Sequence, residues 1–300
     1  MSSRQGKDGG TRSFGFRFRV ITDTHVRADE QHTHNVNLER ALQDIAANGT
    51  GSVGIMHAGD VTDHGFPEEY EAWNQIWNRF GGALPPLYVT MGNHDVALEN
   101  WEARLGQFLR GTGAEGIYHD HWIDGYHFIF LGTEEGLELF SSLSEKQLAW
   151  LDDKLGENAA ADRPVFVFLH QPLLNTVAGS YEAQRWYGVV QDADLRAVLA
   201  RHPQAILFTG HTHWELDAPH TSYGVEGEGP VMFNAASVAY LWTDEDEHKD
   251  GSQGFYVEVY RDHVLVRGRD FTRGEWVESA QFRVEYPRGE QVIGNRVDVW

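Results

Sequence analysis

The sequence predicts an α/β protein whose sheet or sheets are completed by antiparallel strands near the C-terminus. Strand-like and helix-like segments alternate through the first two thirds of the 300 residues, which is typical of α/β folds. After His213 the pattern changes to strands joined by Gly-rich turns. We find no internal repeat and no clear linker in the sequence. We therefore expect one domain over residues 14–300, with antiparallel strands from about residue 231, and a disordered tail at residues 1–13.

Apolar spacing predicts the first elements of the chain. Phe14–Thr22 alternates apolar and polar residues as a strand does, whereas Asn35–Ala47 repeats apolar residues on one helical face. Short apolar runs predict strands at Val53–Ala58 and Leu87–Met91. Pro67–Phe80 is a predicted helix, because proline suits the first helical position and its large apolar residues recur three and four positions apart.

The same reasoning extends to the rest of the chain. Leu98–Leu109 is a predicted helix, and Ser144–Leu155 is another, because Ser144 with Gln147 three residues later forms an N-terminal capping pattern. The remaining predicted elements are the helix Asp192–Arg201 and the strands Tyr126–Leu131, Val165–His170, Ala205–Thr209, Val231–Asn234, Phe255–Tyr260, His263–Arg269 and Gln281–Glu285.

Composition and charge exclude several classes of function. The chain has 24 Lys and Arg against 45 Asp and Glu, a formal net charge of −21, which repels nucleic acid. No apolar run approaches the roughly 18–20 residues of a membrane helix, and residues 1–13 lack the apolar core of a secretory signal. We therefore expect a cytoplasmic protein without a membrane partner. The absence of cysteine excludes disulfides, thiolate nucleophiles and Cys-based zinc sites.

Polar blocks follow five of the predicted strands, and they use many of the 16 histidines. The carboxyl ends of parallel strands meet at one edge of a sheet, so distant blocks can converge there. One block alone is also typical of a surface turn, and a lone histidine is often a hydrogen-bonded core residue. The ordered set favours a common site. The blocks are Asp23–His25, Gly59–Asp60, Gly92–Asp95, His170 and Gly210–His213.

The residue types in these blocks favour a metal centre. Imidazoles and carboxylates suit Mn, Fe and Zn, and two such cations a few ångströms apart form a clamp for in-line displacement at phosphorus. Glycine precedes Asp60, Asn93 and His211, which lets the backbone turn sharply off each strand.

Taken in order, the blocks resemble the calcineurin-like metallophosphoesterases, whose pattern is D-x-H, G-D, G-N-H-D/E, H and G-H-x-H. The resemblance covers about residues 16–215. It implies an αββα four-layer sandwich, with two packed mixed sheets flanked by helices and a metal site at the C-terminal strand ends. It also implies two ions of Mn, Fe or Zn. One would be held by Asp23, His25, Asp60 and His213, and the second would share Asp60 and be held by Asn93, His170 and His211.

The resemblance also implies roles in catalysis for two residues. A hydroxide held between the two ions would attack phosphorus in line, and His94 would contact the phosphate and protonate the leaving alkoxide. Asp95 would hold the His94 imidazole in the correct orientation.

Residues that differ from those of related phosphoesterase families narrow the range of expected substrates. Purple acid phosphatases place a tyrosine where this chain has Asp63, and protein Ser/Thr phosphatases place an arginine where it has His64. The motifs are most similar to the bacterial class III cyclic nucleotide phosphodiesterases and their glycerophosphodiesterase relatives. We therefore expect hydrolysis of small phosphodiesters, with cyclic nucleotides among the candidates. A phosphomonoesterase acting on a nucleotide or sugar phosphate is the alternative, and a nuclease or a non-catalytic binding relative is disfavoured.

Three further residues are candidate substrate contacts. His64 is interpreted either as a substrate-facing residue or as a hydrogen-bonded loop histidine. Arg185 lies in Asn175–Gly188, with Trp186 and Tyr187, and we expect this segment to overhang the site. Trp214 would stack on a base or pack under a loop. A small phosphoester is the expected partner, and the sequence leaves both a monomer and a homo-oligomer as alternatives. The surplus histidines, expected at the surface or rim, are His32, His34, His119 and His121.

Overall fold

Two six-stranded sheets form the centre of the fold in the computed structural model. It describes residues 14–186, 188–227 and 229–288, so the expected tail at residues 1–13 and Tyr187 lie outside the described residues. In chain order the strands are β1 (Phe14–Ile21), β2 (Ser52–His57), β3 (Leu87–Val89), β4 (His119–Ile123), β5 (Tyr126–Phe130), β6 (Val165–Phe168), β7 (Ala205–Thr209), β8 (Ser222–Tyr223), β9 (Val231–Asn234), β10 (Leu241–Trp242), β11 (His248–Lys249), β12 (Gln253–Tyr260), β13 (His263–Asp270) and β14 (Glu275–Glu285). The helices are α1 (Thr33–Asn48), α2 (Pro67–Phe80), α3 (Asn93–Val96), α4 (Trp101–Thr112), α5 (Glu145–Gly156) and α6 (Asp192–Ala200).

Both sheets mix parallel and antiparallel strands. The first has the order β14-β13-β12-β1-β2-β3, in which β1, β2 and β3 are parallel and the C-terminal strands are antiparallel. The second has the order β4-β5-β6-β7-β9-β8, with β5, β6, β7 and β9 parallel. Strands β10 and β11 form a separate hairpin. The predicted completion of the sheet by C-terminal antiparallel strands holds for β12, β13 and β14 of the first sheet. It is wrong for the strand at residue 231, because β9 pairs parallel with β7 in the second sheet.

A core rich in phenylalanine packs between the two sheets. The Phe18 ring on β1 meets the rings of Phe128 and Phe166 on the second sheet edge-on, with centroids 5.2 and 4.8 Å apart. All three side chains are fully buried. Edge-to-face contacts add to the free energy gained by burying these rings, so this layer fixes how the two sheets face each other.

Helices cover the outer face of each sheet. One apolar cluster joins α1, α2 and α4 to Ile21, Ile55 and Val89 of the first sheet, and another joins α5 and α6 to Val165 and Val167 of the second. The layers therefore run helix, sheet, sheet, helix, which confirms the αββα expectation. That residues 14–300 form a single domain stays a prediction. Among the described residues no helix is both long and apolar enough to cross a lipid bilayer.

The predicted elements differ from the structure mainly where tertiary contacts decide. Helix α2 has the predicted bounds, whereas α4 begins three residues later than expected because Asn100 caps it by accepting from the Ala103 N–H. Strand β4 is missing from the predictions, because its sequence is rich in histidine and has no apolar run. It is held by pairing with β5, which no local pattern reveals.

Candidate metal centre

Six buried polar side chains converge where strands of the two sheets end. They follow β1 and β2 in the first sheet and β6 and β7 in the second. None is more than 3% exposed, so each was removed from water and must find a partner. They are Asp23, His25, Asp60, His170, His211 and His213.

Asp23, His25 and His213 form the first group of donors. Oδ1 of Asp23 lies 2.9 Å from Nε2 of His213 and 3.6 Å from Nε2 of His25. The two Nε2 atoms are 3.0 Å apart. Three potential ligand atoms within 4.8 Å of one another are placed as they would be around one cation.

Asp60, His170 and His211 form the second group. Nε2 of His170 lies 3.0 Å from Oδ2 of Asp60, and the ligand atoms of this group also lie within 4.8 Å of one another. The same Oδ2 is 3.7 Å from Nε2 of His25, so Asp60 faces both groups. One carboxylate therefore stands between two sets of imidazoles.

Hydrogen bonds turn the Nε2 atoms toward the centre. Nδ1 of His170 donates to the Ala58 carbonyl at 2.9 Å, and Nδ1 of His213 donates to the Tyr240 carbonyl at 3.2 Å. A carbonyl only accepts, so in each neutral ring the proton is on Nδ1 and Nε2 carries a lone pair. Partners of this kind orient metal-ligating histidines.

One oxygen of each central carboxylate accepts hydrogen bonds from the surrounding loops. Oδ2 of Asp23 accepts from the Thr22 hydroxyl at 2.6 Å and from the His211 N–H at 2.9 Å. Oδ1 of Asp60 accepts from the His94 N–H at 2.9 Å. The other oxygen of each faces the imidazoles.

The backbone at the site is held in an unusual conformation. Five of the six side chains stand on residues with positive φ, between 42° and 71°, which non-glycine residues seldom adopt. Strain of this kind collects at functional sites, where the surrounding structure enforces it. The five are Asp23, His25, Asp60, His211 and His213.

Electrostatic interactions between the carboxylates and the imidazoles shift the pKa values of the candidate ligands. Burial alone would raise the pKa of Asp23 and of Asp60, but the neighbouring imidazoles outweigh it and hold both pKa values below the ordinary range. Burial alone would lower the pKa of His25 and of His170, but the carboxylates outweigh it and raise these pKa values to about 10 and about 9. Burial, then the positive charge at His170, lowers the pKa of His211 to about 3.

The donor set fits divalent cations. Three buried atoms, Oδ1 of Asp23 and Nε2 of His170 and His211, make no hydrogen bond of suitable geometry among the described residues, although the first two lie 2.9 Å from Nε2 of His213 and 3.0 Å from Oδ2 of Asp60. Such atoms carry a desolvation penalty that a bound cation would remove. Neutral imidazoles with carboxylates are the ligands that suit Mn, Fe and Zn.

Comparison with known proteins identifies the family. The calcineurin-like phosphoesterase family matches residues 16–215, which is more than half of the chain. This chain belongs to that family. Calcineurin-like phosphoesterases use a dimetal centre, and the two groups of donors are its candidate ligands here. The family resemblance seen in the motifs is confirmed.

Two relatives of this phosphoesterase are named as members of the branch that the motifs predict, the cyclic nucleotide phosphodiesterases and glycerophosphodiesterases. It is 25% identical over 279 residues to a probable cyclic nucleotide phosphodiesterase of Rhodococcus erythropolis, covering 86% of each chain. It is 26% identical over 202 residues to a probable glycerophosphodiester phosphodiesterase of Arcobacter nitrofigilis, covering 64% of this chain and 70% of the relative. Its fold is shared with the purple acid phosphatase PPD1 of yellow lupin, with a TM-score of 0.65 and 12% identity over 92% of this chain and 54% of that one.

Asn93 lies beside the phosphoesterase's candidate ligands and is held at both ends. Its Nδ2 donates to the Glu138 carbonyl at 2.8 Å, and its Oδ1 accepts from Nε2 of Gln171 at 3.0 Å. Gln171 in turn accepts from the Ser141 hydroxyl. These contacts fix the orientation of the amide oxygen.

His94 lies at the site, but the expected role of Asp95 is wrong. Nδ1 of His94 donates to the Asp63 carbonyl at 2.8 Å, so a backbone oxygen orients the ring. Asp95 instead accepts from the N–H groups of Gly92, Val61 and Thr62 at 3.0–3.1 Å and ties the loops after β2 and β3 together. Burial, and then the charge of Asp60, raises the pKa of Asp95 to about 6.

The three candidate substrate contacts have different surroundings. His64 lines a cavity beside His94, although Glu69 engages its Nδ1 at 2.8 Å. Arg185 is exposed and forms no hydrogen bond or ion pair within the described part of the chain, so its contact with substrate stays a prediction. Of the two interpretations of Trp214, the structure supports packing and contradicts substrate stacking, because this side chain is only 1% exposed and is packed edge-on against Trp186, 5.7 Å between centroids.

Partly exposed aromatic rings border the site instead. The Trp186 ring lies 6.0 Å from the His211 ring, and the Tyr240 ring lies 4.4 Å from the His213 ring. His34 is at the rim, as expected, with its ring 5.4 Å from that of Tyr240. The expectation that His119 lies at the surface or rim is wrong. His119 is buried in β4, and its Nε2 donates to the Val89 carbonyl at 3.1 Å.

The motifs did not single out several residues that support the site. Asp63 contacts Nδ1 of His25 at 3.1 Å. His57 is fully buried, and its Nε2 contacts the Thr24 hydroxyl at 3.0 Å. Both positions could have been found from the sequence, since Asp63 lies three residues after Asp60 and His57 lies near the end of the strand predicted at Val53–Ala58. Gln171 gave no signal beyond its position after His170.

Proposed function

We propose that this phosphoesterase hydrolyses small phosphodiesters at a centre of two metal ions. The observation that carries the proposal is the position of Asp60, whose Oδ2 lies 3.0 Å from Nε2 of His170 and 3.7 Å from Nε2 of His25. We assign Asp23, His25, Asp60 and His213 to one ion, and Asp60, Asn93, His170 and His211 to the other. Mn, Fe and Zn are the candidate metals, because the ligands are imidazoles, carboxylates and one amide.

When bound, the two ions supply a water of lowered pKa and neutralise charge on the phosphoryl oxygens. The chain's own task is to position the phosphate and the proton that the leaving group needs. His94 suits this task, because Nδ1 is fixed on the Asp63 carbonyl at 2.8 Å and Nε2, which carries the transferable proton when the ring is an imidazolium, has no hydrogen-bond partner among the described residues. The His94 ring lies 4.5 Å from that of His25, so it is next to the first group of donors. We assign His94 as the general acid.

Charge favours a small substrate. Two divalent ions with the carboxylates of Asp23 and Asp60 leave the site locally positive, within a chain of net charge −21. A small anion gains from the local charge, whereas a long polyanion meets the repulsive field of the whole chain. We therefore favour small diesters over nucleic acid.

A diester is favoured over a monoester by the shortage of free cations near the site. The Arg27 side chain contacts these loops, but its Nε is engaged by Asp63 at 2.7 Å. A monoester dianion would benefit from a further cationic contact, for which Arg185 is the candidate. The named activities of the relatives, on cyclic nucleotides and glycerophosphodiesters, give the two diester classes to test.

The test combines metal analysis with a paired substrate comparison. Protein purified without chelator should contain about two ions per chain, and fewer than one would favour a non-catalytic relative. Manganese-reconstituted protein should hydrolyse bis(p-nitrophenyl) phosphate faster than p-nitrophenyl phosphate. Asn93→Ala should lower the affinity for one ion and leave the other bound. Faster hydrolysis of the monoester would reverse the assignment, and cyclic nucleotides and glycerophosphodiesters would then be screened against nucleotide and sugar monophosphates.

A further inference from the structure

A cavity of about 220 Å³ opens beside His94. A water molecule in the liquid occupies about 30 Å³, so the cavity has room for an organic group. Asn93 and His94 form one side, next to the candidate ligands, and the loop that contains Glu138 and Leu139 forms another. The lining residues used below are Asp63, Asn93, His94, Leu98, Glu138 and Leu139.

The position of His94 connects this cavity with the proposed chemistry. His94 lines the cavity, and its ring lies 4.5 Å from that of His25. It therefore stands between the proposed ions and the cavity. A general acid must be within reach of the oxygen that it protonates. The alcohol attached to that oxygen would extend past His94 into the cavity.

Two leucines make part of the lining apolar. Leu98 is 41% exposed and Leu139 is 37% exposed. Both lie on the same cavity, from the loops after α3 and β5. A concave site with apolar walls and a few polar groups is typical of small-molecule binding.

The charged part of the lining is acidic. Asp63 and Glu138 are the acidic lining residues, His64 and His94 are the histidines, and no lysine or arginine lines this cavity among the described residues. Asp63 is neutralised by Arg27 at 2.7 Å, whereas Glu138 has no ion-pair partner in the described ranges. The backbone carbonyl of Glu138 accepts from Nδ2 of Asn93, so this loop is tied to the candidate centre.

We propose that this cavity binds the departing alcohol of the substrate, and that Leu98, Leu139 and Glu138 select an apolar alcohol that is neutral or cationic over an anionic one. The inference rests on the proposed function and adds the class of leaving group. Water loses a proton as its oxygen bonds to phosphorus, the bond from phosphorus to the leaving oxygen breaks, and the His94 imidazolium gives its Nε2 proton to that oxygen. The proton released by the water restores His94. The products are a phosphomonoester and the free alcohol, which leaves through the cavity.

Three synthetic diesters separate the charge of the leaving group from the rest of the substrate. Methyl phenyl phosphate, methyl 3-carboxyphenyl phosphate and methyl 3-(aminomethyl)phenyl phosphate share the retained methyl group, and the aryl group leaves because methoxide is far more basic. Manganese-loaded wild type should cleave the carboxyphenyl ester with roughly ten-fold lower kcat/KM than the phenyl ester. That factor corresponds to two charges about 6 Å apart at an effective dielectric constant of about 40.

Variants test whether the residues of the cavity cause this preference among leaving groups. Glu138→Gln should reduce the discrimination against the carboxyphenyl ester, whereas the control Glu278→Gln, which changes another exposed acid, on β14, should not. Leu139→Ala should lower kcat/KM for the phenyl ester roughly three- to ten-fold through lost apolar contact. The control Leu174→Ala removes a leucine of similar exposure, 39%, outside the cavity and should leave the rate unchanged.

The outcomes separate this inference from the proposed function. If the phenyl ester is cleaved but Glu138→Gln and Leu139→Ala behave like their controls, the cavity is not the leaving-group subsite and the inference is overturned. If no diester is cleaved by the loaded wild type, the proposed function fails and the inference fails with it. Because the changed side chains are exposed, loss of folding is not expected to obscure the result.

Discussion

The backbone N–H of His211 donates to Oδ2 of Asp23 at 2.9 Å, although 188 positions separate the two residues. Asp23 follows β1 of the first sheet and His211 follows β7 of the second. This hydrogen bond joins the two sheets where the candidate ligands meet. It makes the position of one carboxylate depend on the packing of the whole sandwich.

Gly210→Ala should release this contact and lower the affinity for metal. A Cβ at position 210 would lie 2.0 Å from Oγ1 of Thr22 and 2.2 Å from Oδ2 of Asp23, so the carboxylate must move. We expect metal binding at least ten-fold weaker by calorimetry with manganese, because outer contacts of ligands typically contribute that much. The control Gly82→Ala has nothing within 4 Å of the added atom, and unchanged affinity in both variants would contradict the prediction.

Gln171→Ala should weaken the binding of one ion rather than both. Gln171 holds Oδ1 of Asn93 at 3.0 Å, and loss of this donor frees the amide to rotate. We expect roughly ten-fold lower affinity for the ion assigned to Asp60, Asn93, His170 and His211, measured by manganese titration. Gln75→Ala, on the exposed side of α2, is the matched control. Equal loss at both ions would instead indicate a general disturbance of the fold.

His94→Asn should slow turnover most for diesters with poor leaving groups. Loss of a general acid typically lowers the rate about 10²- to 10⁴-fold where proton transfer matters. Nitrophenolate leaves without a proton, so bis(p-nitrophenyl) phosphate should be affected less than an alkyl diester. Metal content should stay at the wild-type value. A similar loss for both substrates would remove His94 from the proton-transfer role.

Phe166→Ala should destabilise the sandwich without changing the ligands. The ring is fully buried and lies 4.8 Å from that of Phe18 between the sheets. A cavity of this kind lowers the free energy of unfolding by about 3–5 kcal/mol, which urea denaturation would measure. The control Phe14→Ala removes a ring that is 42% exposed on β1, the strand that carries Phe18, and should cost about 1 kcal/mol or less. Equal losses would argue against the packed inter-sheet core.

His119→Phe should reduce the loss of stability in mild acid. Burial, and to a smaller extent the positive charge at His121, lowers the pKa of His119 in the folded chain. The unfolded chain therefore binds a proton near pH 6.5 that the folded chain binds only at lower pH. Stability then falls as the pH drops below about 6.5, by at most about 1.4 kcal/mol per pH unit for this group.

The measurement for His119→Phe is the free energy of unfolding in urea at pH 7.5 and at pH 5.5. The variant should lose less stability than wild type between these two values, even if loss of the bond to the Val89 carbonyl lowers its stability at pH 7.5. An equal or larger loss in the variant would show that His119 does not contribute to the acid sensitivity.

Much of the fold was predictable because its signals are local. Apolar runs placed β6 and β7, and helical spacing with a proline placed α2 at its observed bounds. The histidine-rich β4 carried no such signal, since its pairing with β5 and the burial of His119 arise from neighbours. Local periodicity reports which face is apolar, and it does not report what a polar segment pairs with.

The candidate site divides in the same way. The order of the blocks determined by itself which carboxylates and imidazoles to expect at the strand ends, because the type of each residue determines which ligand atom it can offer to a metal. Only the tertiary structure decided that the Asp63 carbonyl and not Asp95 orients His94, that Trp214 is covered by Trp186, and that a cavity with Leu98, Leu139 and Glu138 opens beside His94. These relationships join segments that are distant in sequence, so they depend on how the two sheets pack rather than on any local pattern.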